Sequence, residues 1–278
     1  MTKRLNPDDH YYLFRIDLED IRDFIPNGYQ YKEKVPVLIK QYLDFLDRYN
    51  MKTTFFTVGL VAERYPELIK TLIDNGHEIA CHSYQHRPLT DLTKDEFKFD
   101  LEKNLGVLYK SGAREVKGFR APIFSLVEES QWAYDVMEEF DITYSSSVLP
   151  ASNPLYGWPE FGVMPRMINN LWELPISVDK YLWKLFPFSG GIYFRIIPIF
   201  LIFRSFNKKS KLNQPVFGYI HPYDIDTTQE KYMHPGINNN KLFNLLMYYN
   251  RKKVIHRLEK LIGLGWNFVT YKEFAAQL

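Results

Sequence analysis

The sequence predicts an α/β fold: a distorted or incomplete (β/α) barrel of seven to eight parallel strands, forming a single domain over residues 1–278. Short apolar strands alternate with amphipathic helices, and a parallel sheet needs such crossovers to connect and cover its strands. No repeat, low-complexity tract or linker divides the chain. Residues 150–215 are less regular and rich in proline, glycine and aromatic residues. We therefore expect an insertion around the strand at 171–175, not a second domain.

Eight segments have the length and apolar character of strands. They are residues 12–17, 52–59, 77–81, 115–119, 142–147, 171–175, 216–221 and 267–270. Most of these strands are followed by a segment that has helically spaced apolar residues or a helix start signal. The predicted helices lie at 35–49, 66–76, from 93 to about 108, around 132–140 and at 254–262. Pro66 and Gly76 bracket the second helix, and the sequence "TKDE" at 93–96 is a capping box that opens the third.

Composition excludes several classes of function. The net charge of +2 is too small to indicate a nucleic-acid partner, and the one cysteine excludes an internal disulfide framework. The first residues have no apolar secretory segment, so we expect a cytoplasmic protein. The apolar run at 196–203 is shorter than the ~18 residues that span a bilayer. With the basic residues that flank it, the segment 195–211 is compatible with peripheral membrane contact or with ordinary core packing.

Ionisable residues occur at or near the carboxyl ends of five predicted strands. They are Asp17, Glu19, Asp20, His82, His86, Arg120, Glu173 and His221. In a barrel the carboxyl ends of all strands meet at one rim, where active sites are built. We therefore expect these side chains to converge.

The two histidines of "HSYQH" at 82–86 are candidate metal ligands. Pro88 makes a long helix unfavourable here, so a loop or single turn can aim both imidazoles at one point. Two histidines and a carboxylate from the first strand suit zinc with an open position, or a non-haem iron.

In these motifs the chain resembles the polysaccharide deacetylases, the NodB-homology group of carbohydrate esterase family 4. "RIDLED", "HSYQH", "FRAP" and "YIHP" are similar, in order, to the aspartate, metal-binding, arginine and late histidine motifs of that family. Further segments, "LWELPIS", "SGGIYFRIIP" and "HPYDID", resemble the subgroup found with genes for exopolysaccharide and other surface glycans. The chain departs from the family at the first motif, usually Thr-Phe-Asp-Asp, and it lacks the Asp-x-x-Asp-Trp motif.

The resemblance implies a role for each candidate residue. Asp17 would be the general base, Arg120 would orient it and keep it ionised, and His221 would be the general acid. Glu19, His82 and His86 would bind a divalent metal, expected to be Zn²⁺, with Asp20 as the alternative ligand. Glu173 would support either His221 or Arg120. Aromatic side chains would stack on sugar faces or simply pack in the core; the candidates are Tyr84, Phe124 and Tyr223.

The function that this resemblance implies is metal-dependent removal of an acetyl group from an N-acetylated sugar or glycan during surface-polysaccharide synthesis. The sugar could be part of a polymer, or linked to a nucleotide or a lipid. Two alternatives stay open: hydrolysis of another linear or cyclic amide on the same fold, and a catalytically silent protein that binds glycans.

Overall fold

A computed structural model describes residues 5–6, 8–152, 156–181, 183–235, 237 and 239–278. Part of the N-terminal segment and residues 153–155 and 182 of the predicted insertion therefore lie outside the described residues. The strands are β1 (His10–Leu13), β2 (Arg15–Leu18), β3 (Thr54–Thr57), β4 (Glu78–Cys81), β5 (Gly118–Phe119), β6 (Tyr144–Ser145), β7 (Arg166–Ile168), β8 (Leu171–Glu173), β9 (Val178–Tyr181), β10 (Lys184–Pro187), β11 (Val216–Phe217) and β12 (Trp266–Phe268). The helices are α1 (Val35–Arg48), α2 (Gly59–Arg64), α3 (Pro66–Asp74), α4 (Lys94–Lys110), α5 (Ala133–Glu139), α6 (Gly191–Ile196), α7 (Ile199–Lys211), α8 (Lys241–Leu246), α9 (Val254–Gly263) and α10 (Tyr271–Ala275).

The parallel strands are arranged as a distorted barrel. Strands β2, β3, β4, β5, β6 and β8 pair side by side in parallel, and β7 adds an antiparallel edge to β8. Strand β1 pairs in parallel with β11 on one edge and β12 on the other. Between β8 and β11 the backbone N–H of Ser177 donates to the carbonyl of Phe217 at 3.0 Å. The predicted fold class is confirmed, and each predicted strand has a counterpart.

Side chains of the first strand alternate between the two faces of the barrel wall, as the period of two requires. Tyr12, Phe14 and Ile16 belong to the large apolar core beneath the helices. Leu13 belongs instead to a second cluster with Phe56, Ala80 and Tyr144 from other strands. By the same alternation, the side chains on the face of Leu13 are those of Arg15, Asp17 and Glu19. The sequence therefore directs polar side chains into the barrel at its carboxyl end.

Helix α10 closes the opposite end of the barrel. The backbone N–H of Tyr271 donates to Thr54 Oγ1 at 2.8 Å, and that of Lys272 donates to Glu78 Oε2 at 3.0 Å. Thr54 and Glu78 are the first residues of β3 and β4. Because the amino ends of the strands are covered, the carboxyl ends provide the open rim.

The irregular segment at 150–215 contains β7, β8, the antiparallel hairpin β9–β10 and helices α6 and α7. The hairpin packs on α7, where the Tyr181 hydroxyl lies 2.7 Å from Ser205 Oγ. Helix α7 contains most of the predicted apolar run and buries Ile202 and Phe206. Within the described part of the chain, no helix is long and apolar enough to cross a bilayer.

Candidate active site and metal centre

The loop carrying His82 and His86 is held in an uncommon conformation. Ser83 and His86 have φ angles of +63° and +57°, in the left-handed region that residues other than glycine seldom occupy. The Asp100 carboxylate of α4 accepts hydrogen bonds from the backbone N–H groups of Tyr84, at 2.8 Å, and Gln85, at 3.4 Å. Such strain persists only where surrounding contacts enforce it, and it is common at functional sites.

The structure brings the predicted metal ligands together. Among the described residues, Glu19, His82 and His86 can each offer one ligand atom, and these atoms all lie within 4.8 Å of one another. His86 Nε2 is 2.9 Å from Glu19 Oε2. His82 Nδ1 lies 2.8 Å from the carbonyl oxygen of Arg120, to which it donates, so that Nε2 is the unprotonated nitrogen. An imidazole oriented by a backbone carbonyl in this way is typical of metal-ligating histidines.

The protonation states of this cluster fit a divalent cation. Burial and the neighbouring His86 lower the pKa of His82 well below its usual value, so its imidazole is neutral. Burial raises the pKa of Glu19, but His86 and His221 outweigh this effect and lower it to about 2. Metal ligands must be deprotonated, and both groups meet this requirement at neutral pH. Two imidazoles and one carboxylate are the donor set of many catalytic zinc and non-haem iron sites.

Asp20, the alternative ligand, has other partners. Its carboxylate lies 2.6 Å from Arg22 Nη2 and 2.9 Å from Arg64 Nη1, and it also accepts a hydrogen bond from the backbone N–H of Arg22. These contacts stabilise the turn after β2. The geometry therefore favours Glu19 as the carboxylate ligand.

Asp17 lies inside the barrel beside two arginines. Arg120 Nε is 2.7 Å from Asp17 Oδ2, as the predicted orienting role of Arg120 requires, and Arg15 Nε is 3.5 Å from Oδ1. Burial raises the pKa of Asp17 to about 6, against the opposing attraction of Arg15 and His221. Among the described residues, none makes a hydrogen bond to Asp17 Oδ1. This buried oxygen is available to accept a proton.

His221 is paired with a carboxylate that the sequence analysis missed. Its Nδ1 is 3.0 Å from Asp224 Oδ2, and its Nε2 is 4.0 Å from Glu19 Oε1. Asp224 in turn lies 2.9 Å from Arg195 Nε, and Asp224 and Arg195 are both fully buried. Burial lowers the pKa of His221, but Glu19 and Asp224 outweigh it and raise the pKa to about 9. The available signal was the "HPYD" spacing, which places Asp224 one turn after His221.

The structure gives Glu173 other direct partners than the predicted His221 or Arg120. Its Oε1 accepts hydrogen bonds from the backbone N–H groups of Ser147, at 2.7 Å, and Val148, at 3.0 Å, and its Oε2 accepts one from Tyr134. The carboxylate thus holds the chain after β6, whereas Asp224 takes the place beside His221. Strand position alone could not distinguish these carboxylates, because Glu173 ends β8, Asp224 follows β11, and the carboxyl ends of both strands lie at the same rim.

The three candidate aromatic residues lie in different surroundings. The Phe124 ring lies 4.4 Å from the Arg120 guanidinium, and the Tyr223 ring stacks on His221 with centroids 4.7 Å apart. Both therefore pack directly on predicted catalytic side chains. Tyr84 instead donates its hydroxyl proton to Glu63 and lines a surface groove of about 450 Å³ formed mainly with α4. Unlike Phe124 and Tyr223, Tyr84 thus packs on neighbouring loop and helix residues.

Two family models match consecutive parts of the chain. The polysaccharide deacetylase model matches residues 28–144, and a model described as a domain of unknown function (DUF3473) matches residues 146–276. Strands from both ranges contribute to the same barrel. The histidine pair and Arg120 come from the first range, and His221 with Asp224 and Arg195 from the second.

The relatives found by sequence match a limited part of the chain. A peptidoglycan-N-acetylglucosamine deacetylase of Bacillus cereus is 33% identical over 92 residues, which are 33% of this chain and 34% of that protein. A chitooligosaccharide deacetylase of Sinorhizobium fredii is 32% identical over 31% of this chain and 41% of that protein. The matches thus span less than half the length of these relatives.

Solved structures resemble nearly the whole fold. A Mycobacterium smegmatis protein classed as a polysaccharide deacetylase has a TM-score of 0.64 and 17% identity, covering 96% of this chain and 90% of that one. A carbohydrate esterase family 4 pseudoenzyme of Bacillus anthracis has a TM-score of 0.55 and 13% identity, covering 98% of this chain and 67% of that one. Together these findings show that residues 28–144 match the polysaccharide deacetylase family and that nearly the whole chain has the fold of the solved structures named here.

Proposed function

We propose that this protein is a metal-dependent hydrolase that removes the acetyl group from an N-acetylated sugar during surface-glycan synthesis. The observation that carries the proposal is that the candidate base Asp17 and the candidate acid His221 both adjoin the candidate metal cluster of Glu19, His82 and His86. The deacetylases named above act on peptidoglycan and chitooligosaccharides, which supports an N-acetylated sugar as the substrate class.

The metal cluster and Asp17 would activate the attacking water. A divalent cation held by Glu19, His82 and His86 would supply Lewis acidity, polarising the acetamide carbonyl and lowering the pKa of a water toward ~7. Asp17 would accept the proton of the attacking water through its free oxygen Oδ1, while Arg120 holds Oδ2 in place. A positioned general base of this kind contributes about 10²–10⁴ to the rate.

His221 would protonate the departing sugar nitrogen. Its Nδ1 is held by Asp224, so Nε2 is the nitrogen that carries the transferable proton toward the cluster. Arg195 acts one step further away, because it fixes the Asp224 carboxylate. The stacked Tyr223 ring limits rotation of the imidazole.

The backbone after Arg120 would bind the developing oxyanion. The N–H of Ala121 already donates to Ser147 Oγ at 2.8 Å, so it is engaged elsewhere. Pro122 has no N–H, and we assign the role to Ile123, whose φ of +47° is unfavourable for a β-branched residue.

The test is acetate release from N-acetylglucosamine oligomers by the purified full chain, after chelation and after addition of Zn²⁺. We expect activity only with metal, and its loss in Asp17→Asn but not in the control Asp44→Asn, which changes an exposed carboxylate on α1. His82→Ala should lose bound zinc by elemental analysis, whereas His256→Ala, at an exposed histidine, should retain it.

Two results would contradict the proposal. If the protein binds zinc but releases no acetate from any of a panel of polymeric, nucleotide-linked and lipid-linked N-acetylated sugars, it is a silent glycan-binding protein. If it retains hydrolytic activity when free of metal, it acts on another amide by a different mechanism.

A further inference from the structure

Large apolar side chains are exposed on three elements of the second half of the chain. Trp183, beside the turn of the β9–β10 hairpin, is 75% exposed, and Phe200 at the start of α7 is 68% exposed. Leu242 and Leu245 of α8 are 74% and 67% exposed, and Tyr249 just beyond it is 53% exposed. We call these five residues the apolar surface. Single exposed apolar residues are ordinary, but several on adjoining elements indicate an interaction site.

Hydrogen bonds join the hairpin to α7, and they join the segment that follows α8 to α6, which directly precedes α7. The Arg195 guanidinium at the end of α6 donates to the carbonyl oxygens of Met247, at 2.8 Å, and Tyr249, at 3.1 Å. The Asn250 side chain donates back to the carbonyl of Arg195 at 3.1 Å. The Tyr181 hydroxyl of the hairpin donates to the carbonyl of Leu201 in α7 at 3.3 Å. The exposed residues therefore lie on adjoining elements of one scaffold.

The same elements carry a strong excess of positive charge. Residues 176–215 contain seven lysines and arginines and one acidic residue, Asp179, and residues 240–253 contain four basic residues and none that is acidic. Because the net charge of the whole chain is only +2, the remainder of the chain is net acidic. Asp179 is paired with Lys208, so the region has little negative charge left to balance its other cations. Exposed basic side chains in these segments include Lys180, Lys184, Arg204, Lys211, Lys241 and Lys252.

We propose that the apolar surface and its surrounding lysines dock the protein on an anionic lipid bilayer. Tryptophan, tyrosine and aliphatic side chains accompanied by lysines are the pattern of an interfacial membrane segment. Helix α7 turns Ile202 and Phe206 inward and leaves Phe200 and Arg204 outward, as a helix lying on a surface does. A protein partner fits less well, because lysine is depleted in protein–protein interfaces whereas anionic lipid attracts it.

Docking would occur close to the candidate site without using its catalytic groups. Arg195 contacts the backbone beneath Tyr249 and pairs with Asp224, so the scaffold beneath the surface adjoins His221. The five surface residues belong to neither the metal cluster nor the acid–base pair. This inference does not depend on the proposed function, and its test does not measure catalysis.

The experiment is co-sedimentation of the full chain with vesicles of phosphatidylcholine alone or with about a third phosphatidylglycerol. We expect binding to the anionic vesicles that weakens as salt is raised. Lys180→Glu/Lys184→Glu should weaken the partition coefficient by at least about thirtyfold, since each basic residue near an anionic surface contributes roughly fivefold. Trp183→Ser/Leu245→Ser should also weaken it, whereas Phe99→Ser/Leu264→Ser, at comparably exposed apolar residues elsewhere, should not.

Thermal unfolding of each variant shows that it is folded, and acetate release provides a separate measure of the site. The inference is overturned if the wild-type chain fails to bind anionic vesicles at low salt, or if surface and control variants bind alike. It is also overturned if the chain binds no vesicles and forms a dimer that Trp183→Ser/Leu245→Ser dissociates, because the surface would then join two copies.

Discussion

The buried contact between Asp224 and Arg195 allows a demanding test of the site, by the substitution Asp224→Asn. Asparagine has nearly the same shape as aspartate but no charge. In the wild-type structure the carboxylate accepts from His221 Nδ1 at 3.0 Å and from the His221 backbone N–H at 2.9 Å, and it lies 2.9 Å from Arg195 Nε. The pKa of Asp224 lies well below its usual value, because Arg195 and His221 outweigh the opposing effect of burial. The substitution therefore removes a full charge from the interior.

Two consequences of different size are expected. Arg195 would remain buried without its counterion, and breaking a buried pair in this way costs about 3–5 kcal/mol of unfolding free energy. His221 would lose the anion that orients it and favours its protonated form. Turnover should then fall by up to the ~10²–10⁴ that a positioned general acid contributes.

The assay combines urea unfolding with acetate release, and a double variant separates the two effects. Asp224→Asn/Arg195→Gln removes both charges, so it should recover much of the lost unfolding free energy. It should not recover turnover, since His221 still lacks its carboxylate. Zinc content should match the wild type in both variants, because neither residue belongs to the metal cluster.

The reasoning is refuted if Asp224→Asn unfolds at the wild-type urea concentration and turns over normally. It is equally refuted if the double variant regains turnover together with stability. In that case the effect of Asp224 would be on folding and not on His221.

Three further predictions test other parts of the structure. Burial lowers the pKa of His77 to about 4. Below pH ~6.5 this histidine is therefore protonated in the unfolded state but not in the folded state, so the free energy of unfolding falls as the pH drops toward 4. Between pH 7 and pH 5, the unfolding free energy of His77→Asn should fall by about 2 kcal/mol less than that of the wild type, as measured by urea unfolding with a chelator present. An equal fall in both proteins would show that His77 is not the cause. Gly118→Ala would place a Cβ 2.1 Å from the tyrosine ring of β6 and should lower the free energy of unfolding by about 1–3 kcal/mol or more, as measured by thermal unfolding. The control Gly106→Ala, in open space on α4, should instead raise it by ~0.5–1 kcal/mol. Equal effects of the two substitutions would show that the strand contact is not tight. Glu19→Gln should greatly reduce bound zinc and Asp20→Asn should leave it bound, as measured by elemental analysis; the reverse outcome would exchange their roles.

Local signals in the sequence were sufficient for most regular elements. The capping box at 93–96 is present, with Thr93 Oγ1 accepting from the N–H of Glu96 and the Glu96 carboxylate accepting from that of Thr93. Helix α3 begins at Pro66, and the chain turns after it at Gly76 with a φ of +77°. These features depend on residues close together in the chain, so a local pattern is enough to predict them.

The convergence of the site could also be foreseen, because the carboxyl ends of parallel strands meet at one rim. Glu19, His82 and His86 meet there as that argument requires. The same argument could not predict the separate roles of the carboxylates at this rim. Asp20 differs from Glu19 by one position, yet it pairs with Arg22 and Arg64, and Glu173 caps backbone N–H groups after β6.

By itself, the sequence determined the parallel strands of the barrel, the five helices α1, α3, α4, α5 and α9, the rim at which polar residues gather, and the resemblance to a deacetylase family. Only the tertiary structure revealed Asp224 and Arg195 behind His221, and only it distinguished Glu19 from Asp20 by the partners of each carboxylate. The physical reason is that spacing along a chain encodes the face on which a side chain lies. The energy of a buried charge depends instead on atoms within a few ångströms, contributed by segments as much as about 200 residues away, as for Glu19 and His221.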